Sequence, residues 1–173
     1  MYVDILILKQ LQQGSKHGYE IKKSVEKMLG SRFSINNNML YPAMRKFEEM
    51  GAVEKKIEIQ EGKPSRHTYS LTELGLEILQ EMLCEFPLEI AAVEAEFIVR
   101  VAFFDMLDPE ARKNILKTRK IYLESGLEHL EEIIERELSG SQETFMGRVV
   151  NFRKLKIIQE QNWIAEIERE CEE

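Results

Sequence analysis

The sequence is poor in the residues that form disulfides, metal sites and membrane spans. Its 173 residues include two cysteines, three histidines and one tryptophan, and no run of about 18 apolar residues. Cys84 and Cys171 lie far apart in the chain, and the histidines do not group with them at the spacing of metal ligands. We therefore expect free thiols, no metal, no cofactor and no membrane segment. Asp4, within the first apolar stretch, and the lack of a basic start also argue against a signal peptide, so we expect a cytoplasmic protein.

Groupings typical of catalysis are missing as well. The sequence shows no nucleophile with a partnered base, no paired-carboxylate site and no glycine loop that would cradle a phosphate. The acidic residues of 124–137 have the spacing of a solvated helix face. We therefore expect no enzymatic activity.

Positive charge is scarce overall but unevenly distributed. The formal net charge is −7, and residues 1–80 hold 12 basic and 10 acidic residues, whereas residues 81–173 hold 12 and 21. A slightly basic front and a strongly acidic back are typical of a nucleic-acid-binding module joined to another module. An ordinary solvated surface would explain the small positive excess equally well, so the motifs must decide.

The first half reads as three helices. A nearly continuous apolar run over 2–12 predicts a buried helix, and apolar residues at helical spacing predict a second helix over 18–29. The third helix is expected to start among the asparagines of 36–38 and to end at Gly51. Because proline is tolerated only near a helix start, Pro42 predicts an N-cap close to Asn37 or Asn38.

Two strands and a fourth helix follow. Residues 53–59 and 67–71 predict strands, and the polar segment between them, with Gly62 and Pro64, predicts a hairpin tip. Thr72 is expected to cap the next helix. Helices followed by a two-stranded hairpin give the order of a winged helix-turn-helix, whose second helix of the pair enters the DNA major groove.

The second half predicts long helices. Pro87 suggests a domain boundary, giving domains at 1–86 and 87–173, with a helix over 88–107. Asp108 and Pro109 predict the start of a helix that runs to Leu138, and a last helix ends near Glu170. Helices this long are expected to pack against a second copy of the chain. The predicted dimer-interface residues are Leu116, Leu123, Leu127, Leu130, Ile134, Phe145, Val149, Phe152 and Trp163.

Four segments together resemble the PadR family of transcriptional regulators. They are Gly18-Tyr19-Glu20-Ile21, Leu40-Tyr41-Pro42-Ala43, Gly51-Ala52-Val53 and Tyr69-Ser70-Leu71-Thr72-Glu73-Leu74-Gly75. The resemblance covers residues 1–85, and the second half is similar to the virulence-activator-type dimerisation domain of longer members. It implies a mainly α fold with a small β-wing, in which a winged helix-turn-helix is followed by a long-helix dimerisation domain. It also implies a homodimer that usually represses its target genes.

Eleven residues are predicted to contact double-stranded DNA: Lys16, Tyr19, Asn36, Asn37, Asn38, Tyr41, Arg45, Lys46, Lys63, Ser65 and Arg66. Arginine suits a guanine edge and lysine suits a phosphate. Each group also has a structural alternative. The helix residues would form a solvated face, the asparagines would serve as caps, the tip would be a charged turn, and Tyr19 would be half-buried in the core.

Trp163 has two interpretations. It is either an aromatic anchor of the dimer or a wall of a pocket for a small aromatic effector, and Gln159 or Asn162 is close enough in sequence to accept from its indole N–H. The sequence thus predicts a dimeric DNA-binding repressor of an inverted-repeat operator. The rival interpretation is a winged-helix protein-interaction module without DNA binding.

Overall fold

The protein, described by a computed structural model over residues 1–58, 66–137 and 144–172, is mainly helical with one small antiparallel sheet. It divides into two compact units. The first comprises Met1–Glu85 and Ile98–Leu107, and the second comprises Phe86–Phe97 and Asp108–Glu173. Residues 98–107, which we assigned to the second domain from sequence, are thus grouped with the first unit.

The helices and strands, in chain order, are α1 (Tyr2–Gln12), β1 (Lys16–His17), α2 (Gly18–Leu29), α3 (Asn37–Glu49), β2 (Val53–Glu58), β3 (Arg66–Leu71), α4 (Glu73–Cys84), α5 (Leu88–Ala91), α6 (Glu94–Val101), α7 (Pro109–Glu137) and α8 (Phe145–Glu172). Short 3-10 turns occur at Ser31–Phe33 and Phe104–Met106. Among the described residues, no helix combines the length and apolarity needed to cross a membrane.

Helix α1 forms the centre of the first unit. Ile5, Leu6, Ile7 and Leu8 are all fully buried, and the helix packs against α2, α3, α4 and β3. Four consecutive buried positions leave no polar face, which explains why this helix reads as an apolar run rather than as an amphipathic pattern. The prediction of a buried first helix is confirmed.

The start of α3 is capped by the first of the three asparagines. Its N-cap is Asn36, whose side-chain Oδ1 accepts a hydrogen bond from the Met39 backbone N–H at 3.0 Å. Pro42 is therefore the sixth residue of the helix, beyond the first turn where its missing N–H would cost nothing. The helix thus starts among the three asparagines as predicted, with its cap one residue before Asn37, because Asn36 makes the capping hydrogen bond.

The sheet has three strands in the order β1-β3-β2, all antiparallel. Val53 lies opposite Leu71 and Glu58 lies opposite Arg66, so β2 and β3 form the predicted hairpin. The strand β1 was not predicted, because two residues show no periodicity and their pairing is set by residues about 50 positions away, where Lys16 lies opposite Tyr69.

A tight junction joins the end of α3 to the start of α4. Thr72 caps α4 as predicted, since its Oγ1 accepts from the Gly75 N–H at 3.0 Å. The same hydroxyl donates to the Gly51 carbonyl at 2.8 Å, and the Thr72 N–H donates to the Ala52 carbonyl at 3.1 Å. A Cβ at Gly75 would overlap the Ala52 carbonyl oxygen, so only glycine fits this approach.

The first unit buries one charge completely. The Arg100 guanidinium donates to the Glu85 carbonyl from Nε at 3.1 Å and from Nη2 at 2.7 Å, and to the Met82 carbonyl at 3.0 Å. These carbonyls belong to the last turn of α4 and the residue after it. A cation there matches the negative end of the helix dipole and satisfies acceptors that the helix leaves open.

The predicted helix over 88–107 is broken into α5, α6 and a 3-10 turn. The first break lies at Ala92 and Val93, and neither proline nor glycine marks it. At this break the Ala91 carbonyl accepts a hydrogen bond from Nη1 of the buried Arg119. A tertiary partner therefore satisfies the acceptor that the interrupted helix leaves free.

In the second unit, α7 and α8 pack against each other. Leu116, Leu123 and Leu130 are buried within the single chain, and Leu130 forms an apolar cluster with Val150. The prediction that these leucines form a dimer interface is therefore corrected, because they are buried within one chain. Each of the two long helices therefore packs against the other helix of the same chain. Leu127 and Ile134 are half-buried, and Leu138 lies outside the described residues.

Candidate nucleic-acid interface and assembly surface

Helix α3 turns one face to the core and the opposite face to solvent. The buried side holds Leu40, Met44 and Phe47. The exposed side holds Asn38, Tyr41, Pro42, Arg45 and Glu49. Tyr41 is 45% exposed, and within the described residues the Arg45 guanidinium has no partner, so its N–H donors remain available. The outer face thus offers a planar cation and a phenol to an external partner.

The three asparagines at the start of α3 are all exposed but differ in their hydrogen bonds. Asn36 caps the helix, as described above. Asn37 accepts a 2.7 Å hydrogen bond at Oδ1 from the ammonium of Lys22 on α2. Asn38 makes no side-chain hydrogen bond to any residue that the structure describes.

Two of the predicted lysines have partners inside the first unit. The Lys16 ammonium donates to the Gln10 carbonyl at 2.7 Å and to Gln10 Oε1 and Gln13 Oε1, both at 3.0 Å, which matches its three N–H donors. Burial lowers the pKa of Lys16, while nearby Glu20 acts in the opposite sense. Lys46 pairs with Asp4 at 3.3 Å but stays largely exposed. Lys16 thus binds acceptor groups at the carboxyl end of α1, whereas the charge of Lys46 remains accessible to solvent.

A cavity of about 400 Å³ opens beside the start of α2. It is lined by His17, Gly18, Tyr19, Glu20, Tyr41, Arg66, His67 and Tyr69. The His17 N–H donates to Glu20 Oε2 at 2.7 Å, and Tyr19 is among the most exposed aromatic residues, at 63%. The cavity therefore brings together four elements, β1, α2, α3 and β3, and gathers one predicted site residue from each of α2, α3 and β3.

Tyr69 forms the buried wall of this cavity. Burial raises the pKa of its phenol, and the neighbouring Tyr41 and Glu48 raise it further. The phenol therefore stays neutral and serves as a hydrogen-bonding surface beside α3.

The wing contributes Arg66, which is exposed at the start of β3 and has no partner within the described part of the chain. Lys63 and Ser65, the other two predicted wing residues, lie outside the described residues. Of the predicted DNA-contacting residues, the structure thus brings Tyr19, Tyr41 and Arg66 to one cavity.

Helix α8 carries an exposed apolar face opposite the side that packs on α7. Phe145, Val149 and Phe152 are 85%, 53% and 63% exposed and follow the spacing i, i+4, i+7, so they form a continuous stripe. Large apolar stripes of this kind are typical of protein interfaces. These three residues were among those predicted for the dimer interface, and they have the exposure that such a role requires.

Trp163 packs inside its own unit. Its ring meets Phe97 edge-on, with centroids 6.0 Å apart, and the Arg119 guanidinium lies 5.4 Å from the centroid of the same phenylalanine. The indole N–H has no hydrogen-bond partner among the described residues, so the predicted bond to Gln159 or Asn162 is not formed. At 37% exposure, Trp163 remains partly accessible to solvent.

The sequence comparison decides the family of the first unit. The family described as "Transcriptional regulator PadR-like family" matches residues 7–81. Residues 7–81 are a PadR-like domain. The exposed face of α3, the start of α2 and the strands β2 and β3 all lie within this domain.

Relatives of known name are similar over more of the chain. The "Negative transcriptional regulator PadR" of Bacillus subtilis (strain 168) is 24% identical over 136 residues, which cover 79% of this chain and 75% of the relative. Among solved structures, Bacillus subtilis PadR in complex with operator DNA is 22% identical, with 99% of each chain covered and a TM-score of 0.46. A transcriptional regulator from Clostridium thermocellum is 30% identical over 46% of this chain and 77% of its own, with a TM-score of 0.43.

Sequence reasoning missed two parts of the PadR-like domain's candidate site. Lys22 was not among the predicted site residues, although its ammonium donates a hydrogen bond to Asn37. Tyr69 was recognised only as part of a family motif, although it walls the cavity. Alternation within β3 would have marked Tyr69 as buried, whereas nothing in the sequence pairs Lys22 with a residue 15 positions away.

Proposed function

We propose that this PadR-like regulator binds double-stranded operator DNA through the exposed face of α3, and represses transcription by occupying the operator. The observation that carries the proposal is the placement of Arg45, exposed and without a partner among the described residues, on the outer side of a helix whose inner side is anchored in the core. In winged helix-turn-helix proteins this helix enters the major groove. The name of the Bacillus subtilis relative, a negative regulator, supports repression.

Individual roles follow from chemistry and position. Arg45 is suited to a guanine edge because its fork matches two acceptors. Arg66, with Lys63 and Ser65 of the wing, contacts phosphates, and Tyr19 contacts a phosphate at the start of α2, where the helix dipole favours an anion. Lys16 supports the site indirectly, because its donors hold the end of α1.

The second part of the proposal is a homodimer formed through the exposed stripe of α8. Phe145, Val149 and Phe152 would be covered by the same stripe of a second copy, since a twofold axis brings identical surfaces together. Two α3 helices held in this way would read two half-sites of an inverted repeat, one helical turn of DNA or a multiple of it apart.

A release mechanism completes the proposal. A signal that changes helix packing in the dimer would alter the distance between the two α3 helices and weaken binding to both half-sites at once. A small aromatic effector near Trp163 would supply such a signal, and it would quench the fluorescence of this single tryptophan. A regulator of this kind acts in the cytoplasm, where the DNA is.

DNA binding is tested by the salt dependence of the affinity of the full chain for the DNA upstream of its own gene. We expect log K to fall linearly with log salt concentration, with a slope equal to about −0.9 for each phosphate contacted. Arg66→Ala should reduce the slope by about one unit. Affinity that does not depend on salt, or no binding, would favour the protein-interaction module.

A further inference from the structure

The three consecutive asparagines at the start of α3 differ in the hydrogen bonds that their side chains can still make. An adenine edge in the major groove presents a donor at N6 and an acceptor at N7, and an asparagine reads it by accepting and donating at the same time. Such a side chain must therefore turn its whole amide edge to the base. Whether an asparagine is free to turn decides which of the three can read a base.

Asn36 is not free in this sense. Its Oδ1 accepts from the Met39 N–H at 3.0 Å, and this bond defines the start of the helix. Turning the amide toward a base would break the cap. Asn36 is therefore occupied with the structure of α3 itself.

Asn37 is held from the side. Its Oδ1 accepts from the Lys22 ammonium at 2.7 Å, which leaves its amide N–H groups and the two remaining ammonium N–H groups directed elsewhere. The Lys22–Asn37 pair thus offers donors and one positive charge. A phosphate oxygen is the DNA group that matches such a set.

Asn38 is the remaining member, and it is exposed with no side-chain partner in the described residues. It shares the outer face of α3 with Arg45, seven residues further on. Seven residues are nearly two turns and about 10 Å of helix, which corresponds to roughly three base-pair steps of 3.4 Å. Both side chains therefore reach the same groove from one face.

We propose that Asn38 is the adenine-reading residue of the operator half-site, while the Lys22–Asn37 pair binds a backbone phosphate and Asn36 only caps the helix. The inference rests on the proposed DNA-binding function and adds its sequence specificity. It implies an adenine and a guanine about three base pairs apart in each half-site, read by Asn38 and Arg45.

The test is a selection from duplex DNA with a randomised central segment, carried out with the full-length chain and its variants. The wild type should select a motif with a fixed adenine in each half-site. In Asn38→Ala the affinity ratio between adenine and other bases at that position should fall by about 5- to 100-fold, and the rest of the motif should be unchanged. Because Asn38 is exposed and alanine suits a helix, the variant should keep the thermal melting temperature of the wild type.

The neighbouring asparagines supply matched controls. Asn37→Ala and Lys22→Ala should weaken binding to all duplexes alike, and Lys22→Ala should also reduce the salt slope by about one unit. Asn36→Asp, which preserves the cap, should leave the selected motif unchanged. If either asparagine control loses preference for the adenine, the assignment of that base to Asn38 is wrong.

A substituted base provides a second readout. Replacing the fixed adenine by 7-deazaadenine removes N7, so the wild type should lose affinity while Asn38→Ala should show no further loss. If Asn38→Ala selects the wild-type motif unchanged, the inference is overturned and DNA binding stands. If the wild type selects no duplex at all, the proposed function fails together with it.

Discussion

Helices α3 and α8 are both buried on one face and exposed on the other, but the exposed face of α3 is polar and that of α8 is apolar. Each packs one face against its own chain, α3 through Leu40 and Phe47 and α8 through Val150, and leaves the other face exposed. The free face of α3 holds amides, a phenol and a guanidinium, whereas the free face of α8 holds a stripe that begins with Phe145 and includes Phe152.

The comparison teaches that the partner of each helix follows from its free face rather than from bulk composition. A net charge of −7 argues against a nucleic-acid-binding protein, yet the residues that would meet DNA are amides, Tyr41 and Arg45 on one small surface. An apolar stripe on α8 cannot serve that role, since phosphates and base edges require polar groups. It suits another protein surface instead.

The largest expected effect separates the two faces of α3. Phe47→Ala should destabilise the protein by about 3–5 kcal/mol because it opens a cavity under the helix. Arg45→Ala, on the outer face, should change stability by less than about 0.5 kcal/mol. Urea unfolding followed by circular dichroism measures both, and equal losses would contradict the assignment of inner and outer faces.

The free face of α8 is tested by a charge. Phe152→Glu should raise the dimer dissociation constant at least about 30-fold, because two unpaired carboxylates would be buried in a symmetric interface. Ile57→Glu is the matched control, since Ile57 is 60% exposed on β2 and this substitution also replaces an exposed apolar side chain by a carboxylate. Light scattering over a dilution series gives the result, and a Phe152→Glu dimer as tight as the wild type would place the interface elsewhere.

A smaller effect is expected at the polar face of α3. Arg45→Ala should weaken operator binding by about 1–3 kcal/mol and relax base preference at one position. Arg45→Lys should retain the charge but lose the two-pronged contact, so non-specific affinity should persist while preference falls. Fluorescence anisotropy with operator and scrambled duplexes distinguishes these outcomes, and full preference in Arg45→Lys would show that Arg45 contacts only a phosphate.

The smallest effect is expected for Tyr69, which lies beside α3, and concerns the stability of the protein at alkaline pH. The pKa of Tyr69 is raised in the folded protein. The contribution of its neutral phenol to the free energy of unfolding is therefore complete below the normal tyrosine pKa of about 10, and it is lost as the pH rises through the raised pKa. Tyr69→Phe should flatten the decline in melting temperature above about pH 10. An unchanged decline in that variant would mean that other groups control alkaline unfolding.

Sequence alone predicted most helices because their ends carry local signals. Thr72 as a cap, Gly51 after α3, and Asp108 before a proline act within a few residues, and the observed boundaries follow them. The features that were missed depend on distant partners. The strand β1 exists only through β3, and the break after α5 coincides with a hydrogen bond from Arg119.

The candidate site divides in the same way. Helical periodicity placed Tyr41 and Arg45 on the outer face of α3, as the structure does. It could not distinguish three adjacent asparagines, because their difference is set partly by Lys22 on another helix. It also assigned the buried Leu123 and the exposed Phe152 to one interface, since spacing shows that residues share a face but not what covers that face.

The junction at Thr72 has a mechanical consequence for α3. It fixes the carboxyl end of the helix through Gly51 and Ala52, so a rotation about this point moves the opposite end, where Asn38 lies, the most. Thirteen residues give a lever of about 20 Å, and a tilt of roughly 10° shifts its far end by about 3 Å, close to the rise of one base pair. If Asn38 has the proposed role, a tilt of that size at this junction would displace its adenine contact by about one base pair without unfolding the helix.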